Sequence, residues 1–196
     1  MSVEANWRRL HNWCLREAPG TAAAIDAPAD GALLDEVETA TGRQWSAELR
    51  TWFGLHNGSQ EGKPVAHVLP SYQPLPLERV AAVWTMMTNI WADMTAELGG
   101  DALLDEPAGT VAFTYLPAFI PIAENGQGDL LIVDTRLGDA SGCVREFAKE
   151  DADQGRMNWP TIDALLDDVA SVLERNQPCR GWIPIVQSGV LDWDLP

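Results

Sequence analysis

Apolar residues recur at helical spacing near the start of the chain. Trp7, Leu10 and Cys14 fall on one face, with Arg8 and Arg16 on other faces. This spacing predicts a first helix that ends near Pro19-Gly20. An Ala-rich connector that contains prolines is expected to follow it as far as Asp30.

Two further helices are predicted before residue 60. Asp30 is the expected N-cap of the second helix, which ends at Gly42. Ser46 is the expected cap of the third, which ends at Asn57-Gly58, where both residue types tolerate a left-handed backbone. The residues expected on their buried faces are Leu33, Leu34, Val37, Ala40, Leu49, Trp52 and Phe53.

The longest periodic segment runs from Leu77 to Leu98. Its large apolar residues alternate in steps of three and four, which places them on one stripe of a helix of about six turns. The stripe predicts a main support of the core, and a partner-binding groove is the alternative because methionine-rich surfaces adapt to partners. The stripe residues are Leu77, Val80, Trp84, Met87, Trp91, Met94 and Leu98.

After Gly99-Gly100 the apolar pattern changes to period two or to short apolar runs, which predicts successive strands. Their close spacing favours an antiparallel meander. One more short strand is expected earlier, at Val65–Leu69, before a proline-rich loop. The four later strands are predicted at Val111–Tyr115, Phe119–Ile122, Asp129–Val133 and Cys143–Phe147.

The C-terminal part predicts one more helix and a tail. Thr161 is its expected cap, and Asp163 lies in its first turn, where a negative charge suits the helix dipole. The tail after Pro178 is expected to add an edge strand or to cross the surface. Helices first, strands next and one helix last indicate an α+β fold in a single domain over residues 1–196.

The chain carries a large negative charge, with 29 acidic residues against 13 basic ones and a formal net charge of −16. Such a field repels nucleic acid and anionic membranes and attracts basic partners. Solubility alone is the other interpretation. Nine tryptophans predict extensive packing, or in part an aromatic binding surface.

Three cysteines, Cys14, Cys143 and Cys179, are far apart and form no C-x-x-C motif. This pattern argues against a disulfide framework and against a structural zinc site. The N-terminal residues lack the apolar run of a secretory signal, and no stretch approaches about 18 apolar residues. The chain is therefore predicted to be cytoplasmic, with no membrane partner.

Catalytic chemistry has little support in the sequence. Nucleophilic catalysis needs a Ser or Cys beside a base, but no G-x-S-x-G surrounds a serine, and Cys143 has the setting of a packed thiol. A hydrolase built on His56, or on the carboxylates of Asp129 and Asp134, is kept as a third hypothesis. No catalytic residue is assigned.

Metal, phosphate and nucleic-acid sites are not expected either. The acidic group Glu124, Asp129, Asp134 and Asp139 is spread over turns and a strand, and the five-residue step between Asp129 and Asp134 points them to opposite faces. These aspartates are expected to hold turn backbone instead. Asn125–Gly128 enters a strand rather than a helix, so it does not resemble a phosphate cradle. We predict no metal, cofactor or nucleic acid as a ligand.

Several motifs occur in one order along the chain: Trp7–Leu10, Glu38–Gly42, Leu49–Phe53, His56–Gly58, Leu116–Ala123, Gly126–Asp129, Leu131–Asp134, Gly142–Val144 and Trp159–Leu173. In this order and spacing the chain resembles the SUKH superfamily, the Smi/Knr type named after a yeast cell-wall synthesis regulator. The resemblance covers about residues 5–175. It implies a sheet flanked by helices and no known catalytic centre.

The resemblance also implies a function in protein binding. Many bacterial members are similar to immunity proteins that neutralise polymorphic toxins, often nucleases, and an acidic inhibitor would attract a basic nuclease. The alternative is a regulatory or scaffold interaction protein similar to the yeast regulator. Both hypotheses predict a protein partner and leave the oligomeric state open.

Two segments exceed the minimal domain and are candidate partner surfaces. They are the long helix from Leu77 to Leu98 with its loop to Thr110, and the Trp/Pro-rich tail over residues 176–196. Interface hot spots favour aromatic residues, and the steering charge here is acidic. The candidate partner-binding residues are Glu61, Glu124, Asp139 and Trp182.

Overall fold

The computed structural model describes residues 2–59, 66–153 and 157–195. Four helices precede the first strand: α1 Val3–Glu17, α2 Pro19–Ala24, α3 Gly31–Thr41 and α4 Ala47–Leu55. The Ala-rich connector predicted after the first helix therefore contains a short helix, α2.

The predicted caps of α3 and α4 are confirmed. The Asp30 carboxylate accepts a hydrogen bond from the Ala32 amide at 2.8 Å. The Ser46 hydroxyl accepts one from the Leu49 amide at 3.2 Å. Gly42 ends α3 with a left-handed backbone, φ 61°, which glycine adopts without the clash a Cβ would cause.

The segment from Leu77 onward forms three helices, α5 Leu77–Ile90, α6 Ala92–Glu97 and α7 Ala102–Asp105. The prediction of one six-turn helix is wrong, because Trp91 (φ −94°, ψ 3°) interrupts it. The prediction that the stripe supports the core holds for Leu77, Val80 and Met87, which are buried, but not for Met94 and Leu98, which are each 42% exposed. The physical reason is that α5 packs against α3 and the sheet, whereas α6 continues beyond them.

Five antiparallel strands form the sheet in the order β1-β2-β3-β4-β5. The predicted meander is confirmed for its three central strands, and the short β1 and β5 were not predicted. The strands are β1 Gln73–Pro74, β2 Phe119–Glu124, β3 Leu130–Asp134, β4 Val144–Phe147 and β5 Met157–Trp159.

Two predicted strands are not formed. Val111–Tyr115 is a loop in which Phe113 has a positive φ of 58°. Its polar groups bond to side chains rather than to a neighbouring strand, as when the Ala112 amide donates to Asp153 at 3.0 Å. Of Val65–Leu69, Val65 lies outside the described residues, and the rest forms only a single bridge from Leu69 to Tyr72.

Helices and loops cover both faces of the sheet, which confirms the α+β class. Because side chains alternate along a strand, Leu131 and Val133 face the core formed with α1, α4 and the last helix, α8 Ile162–Arg175. Leu130 and Ile132 face a second cluster that includes Met87 and Tyr115. The predicted Thr161 cap of α8 is confirmed by its hydrogen bond from the Ala164 amide at 3.1 Å.

The tail forms a separate hairpin of β6 Ile183–Gln187 and β7 Val190–Asp194. It is not an edge strand of the five-stranded sheet. Its turn packs on α2, where the Gly20 amide donates to the Gly189 carbonyl at 2.7 Å. A Cβ at residue 20 would lie 2.9 Å from that oxygen, so this approach requires glycine. Among the described residues, no helix combines the length and apolarity needed to cross a bilayer.

Candidate functional site

His56 is fully buried. Its ring lies 4.2 Å, centroid to centroid, from the rings of both Trp7 and Trp52. Nδ1 accepts a hydrogen bond from the Gly58 amide at 3.0 Å. Burial lowers the pKa of His56 to about 3, so the ring is neutral near pH 7. This environment is typical of a core histidine.

Asp134 belongs to a fully buried ionic network. Its carboxylate lies 2.6 Å from Arg136 and 3.3 Å from Arg145, and Arg145 reaches Asp153 at 2.6 Å. Burial acts to raise the pKa of Asp134, but the hydrogen bonds from Arg136 and the Gly109 amide outweigh it, so the pKa is lowered. The carboxylate is therefore ionised, and its charge is balanced by Arg136 and Arg145. Such a buried ion pair suits the joining of loops rather than catalysis.

The prediction that Asp129 and Asp134 hold backbone is confirmed. Asp134 accepts from the Gly109 amide at 2.9 Å, and Asp129 accepts from the Lys149 amide at 3.1 Å. Burial raises the pKa of the Cys143 thiol to about 11, so it is a poor nucleophile near pH 7. Within residues 2–59, 66–153 and 157–195, no three His, Cys, Asp or Glu side chains are grouped so as to hold a metal ion.

The structure does not bring the four predicted partner-binding residues together. Glu61 lies outside the described residues. Glu124 ends β2 and pairs with Arg79 at 3.1 Å, whereas Asp139 is exposed in the loop at the opposite end of β2 and β3. Trp182 borders a cleft just before β6. The four therefore remain separate predictions rather than one site.

A different surface stands out on α5 and α6. Four large apolar side chains are 42% to 65% exposed there, at steps of four residues that keep neighbours on the same side of a helix. Exposed apolar residues that are grouped in this way are typical of protein-binding surfaces, whereas single ones are ordinary. They are Met86, Ile90, Met94 and Leu98.

The same region is strongly acidic. Residues 80–135 contain eight Asp and Glu and no Lys or Arg. Five of these acids are exposed on α6, α7 and their connections, and none forms an ion pair within the part of the chain that the structure describes. The five are Asp93, Glu97, Asp101, Asp105 and Glu106. With the four apolar residues they form what we call the acidic–apolar surface.

A small depression of about 250 Å³ lies beside this surface, between α5–α6 and the loop at Tyr115–Pro117. The Thr88 hydroxyl borders it, buried and without a hydrogen-bond partner among the described residues. Thr95 fixes α6 to the loop through a 2.8 Å bond to Thr114. The depression is below the roughly 300–1,000 Å³ of small-molecule pockets, so it suits a single side chain of a partner.

Sequence reasoning identified the helical segment, but it did not single out Met86 and Ile90, which lie off the predicted stripe, and it did not show that Met94 and Leu98 are exposed. Periodicity reports that residues share a face, and it does not report where the neighbouring element ends. The available signal was the run without Lys or Arg over residues 80–135, whose first acidic residue, Asp93, lies in the second half of the stripe.

Comparison with known proteins identifies the family. The model of the SMI1 / KNR4 family (SUKH-1) matches residues 28–168, which is more than half of the chain. The chain belongs to this family. The SUKH-1 match includes α3–α7 and the whole sheet, and leaves out α1, α2 and the hairpin.

The SUKH-1 match is narrower than the residues 5–175 expected from the resemblance, because it begins after the Trp7–Leu10 motif. No curated protein matches the chain. Membership in SUKH-1 supports a protein-interaction or immunity-type domain in general, and the family is generally known as non-catalytic.

Proposed function

We propose that the chain is a cytoplasmic, non-enzymatic immunity protein that binds and neutralises a basic toxin domain such as a nuclease. The acidic–apolar surface carries this proposal. A nuclease needs a basic surface to bind phosphates, and an acidic protein that covers this surface blocks substrate access. The three cysteines are unpaired and buried, which fits a reducing compartment.

The two components of the surface have different tasks in this proposal. The five exposed acids accelerate the encounter with a basic partner, because charge complementarity acts mainly on the association rate. Ile90 and Met94 supply the desolvated contacts that slow dissociation, since a few central side chains carry most of the binding energy. The depression beside Thr88 receives one anchoring side chain of the partner.

The first test uses a toxin encoded directly beside this gene. Co-expression of the chain is expected to restore growth, and the purified pair is expected to bind at micromolar affinity or better. Ile90→Ala and Met94→Ala should each raise the dissociation rate about tenfold, measured by surface plasmon resonance. Leu15→Ala is the matched control, because Leu15 is 54% exposed on α1 and outside the surface.

A second set of variants tests the contribution of the acidic residues. Asp93→Asn combined with Glu97→Gln should lower the association rate and weaken its dependence on salt, whereas Glu17→Gln on α1 should not. Several endogenous partners, with no protection against any toxin, would favour a regulator or scaffold instead. Equal effects of the surface variants and their α1 controls would contradict the assignment of this surface.

A further inference from the structure

A second concave site lies on the sheet face that carries Leu131 and Glu146, and it shares no lining residue with the acidic–apolar surface. It is a cleft of about 410 Å³, within the roughly 300–1,000 Å³ range of small-molecule sites. Three aromatic side chains and two opposite charges line it. They are Tyr72, Trp159, Trp182, Glu146 and Arg180.

The negative charge of the cleft is the Glu146 carboxylate. The Tyr72 hydroxyl donates a hydrogen bond to its Oε1 atom. Burial, together with this hydrogen bond, raises the pKa of Tyr72, so the phenol keeps its proton and remains the donor. The second carboxylate oxygen of Glu146 has no hydrogen-bond partner among the described residues. A charged acceptor thus stands beside Tyr72 and Trp159, which are only 5% and 6% exposed.

The positive charge of the cleft is the Arg180 guanidinium. Its central carbon lies 4.9 Å from the Trp159 ring centroid, and Nη1 donates to the Asn158 carbonyl at 3.0 Å. The tight turn that carries it has Arg180 at φ 51° and is closed by two backbone hydrogen bonds between Cys179 and Trp182. This turn fixes the backbone from which Arg180 reaches the cleft.

The two charges do not neutralise each other. Within the described parts of the chain, neither Glu146 nor Arg180 forms an ion pair, although both line the same cleft. A ligand that used only one of them would leave the other without an opposite charge. Aromatic side chains also favour a ligand that has a planar ring or a cationic group.

We propose that this cleft binds a small planar zwitterion, in chemical class an aromatic amino acid. Its ammonium group pairs with Glu146, its carboxylate pairs with Arg180, and its ring packs against Trp182, the least buried of the three aromatic side chains. This site does not depend on the proposed toxin binding, since the two surfaces have no residue in common.

The test compares three indole probes: L-tryptophan, which carries both charged groups, tryptamine, which carries only the ammonium group, and indole-3-acetate, which carries only the carboxylate. Titration into the ¹⁵N-labelled protein should shift the signals of Glu146, Asn158 and Trp182. L-tryptophan should bind about tenfold more tightly than either single-charge probe, which is the size of effect expected from one charge-assisted hydrogen bond.

Two variants then assign each charge. Glu146→Gln keeps an acceptor for Tyr72 and should remove the advantage of L-tryptophan over indole-3-acetate. Arg180→Gln should remove its advantage over tryptamine. Glu150→Gln and Arg8→Gln, both at exposed positions outside the cleft, are the matched controls and should keep the wild-type ranking.

Three outcomes would overturn the proposal. They are no shift at cleft residues with any probe, equal binding of all three probes, and a ranking that neither cleft variant changes. Near-UV circular dichroism of each variant confirms beforehand that the tryptophan packing is intact, so that lost binding is not lost folding.

Discussion

At the scale of single residues, burial decides what the titratable side chains do. His56 is in van der Waals contact with two tryptophans and is fully buried. Because Nδ1 accepts from the Gly58 amide, the proton of the neutral ring lies on Nε2, which has no hydrogen-bond partner among the described residues. Protonating Nδ1 would break that bond and bury a charge. His56 should therefore make the fold sensitive to acid.

We predict that replacing His56 reduces the acid sensitivity of folding. The pKa is about 3 in the folded protein and 6.5 without burial. Between these values the unfolded chain binds a proton that the folded protein does not. The free energy of unfolding therefore falls as the pH falls, by up to about 1.4 kcal/mol per pH unit from this group.

The measurement is urea unfolding of the wild type and His56→Gln at pH 7.5, 6.0 and 5.0. Because the substitution itself also changes stability, the quantity to compare is the slope of the free energy of unfolding against pH. This slope should be smaller in the variant. Equal slopes would show that the pKa of His56 is the same in the folded and the unfolded protein.

At the scale of elements, the first half of the Leu77–Leu98 stripe packs in the core, and the second half is exposed. Met87 and Met94 lie on the same predicted stripe, but Met87 is 6% exposed and packs against the sheet, whereas Met94 is 42% exposed. Met94 lies seven residues after Met87, in α6, where the sheet no longer covers the stripe. The two methionines should therefore differ in their effect on stability.

We predict that Met87→Ala lowers the free energy of unfolding by about 2–5 kcal/mol, because it leaves a cavity between α5 and the sheet. Met94→Ala should change it by about 0.5 kcal/mol or less. Chemical denaturation of the two variants measures both values. A loss at Met94 as large as that at Met87 would mean that α6 packs in the core and is not an available surface.

The predictability of each element follows the range of the interactions that form it. The caps at Asp30, Ser46 and Thr161 use bonds within three residues, and the sequence reveals them. β1 and β5 have only two and three residues and are formed by pairing with β2 and β4, so no local pattern marks them. The Val111–Tyr115 segment has the strand pattern, but Asp153, 41 residues away from Ala112, takes its amide bond.

The same distinction applies to the candidate sites. The charge imbalance over residues 80–135 can be counted in the sequence, but its exposure depends on where α5 leaves the sheet. Trp182 was predicted from its residue type alone. The structure adds the neighbours that give it a chemical context, since Tyr72 and Glu146 reach it only through the tertiary fold.

At the scale of the whole molecule, parts outside the family match share its core. Leu191 and Trp193 of the hairpin are buried in the same apolar cluster as α1 and α8. The Leu191 amide donates to the Thr21 hydroxyl, and the Trp193 indole donates to the His67 carbonyl, both at 2.7 Å. The N-terminal helices and the C-terminal hairpin thus stabilise one another across the length of the chain.

We predict that the chain unfolds as one cooperative unit and that the hairpin is part of it. Leu191 is fully buried, so Leu191→Ala should lower the free energy of unfolding by about 2–5 kcal/mol. Leu195→Ala, at a residue that is 61% exposed, should leave it within about 0.5 kcal/mol. Far-UV circular dichroism and tryptophan fluorescence should give coincident transitions in both variants, because one core connects the helices to the tryptophans. Two separate transitions, or an early loss of the hairpin with no change in the main midpoint, would show that the tail is an appendage to the domain.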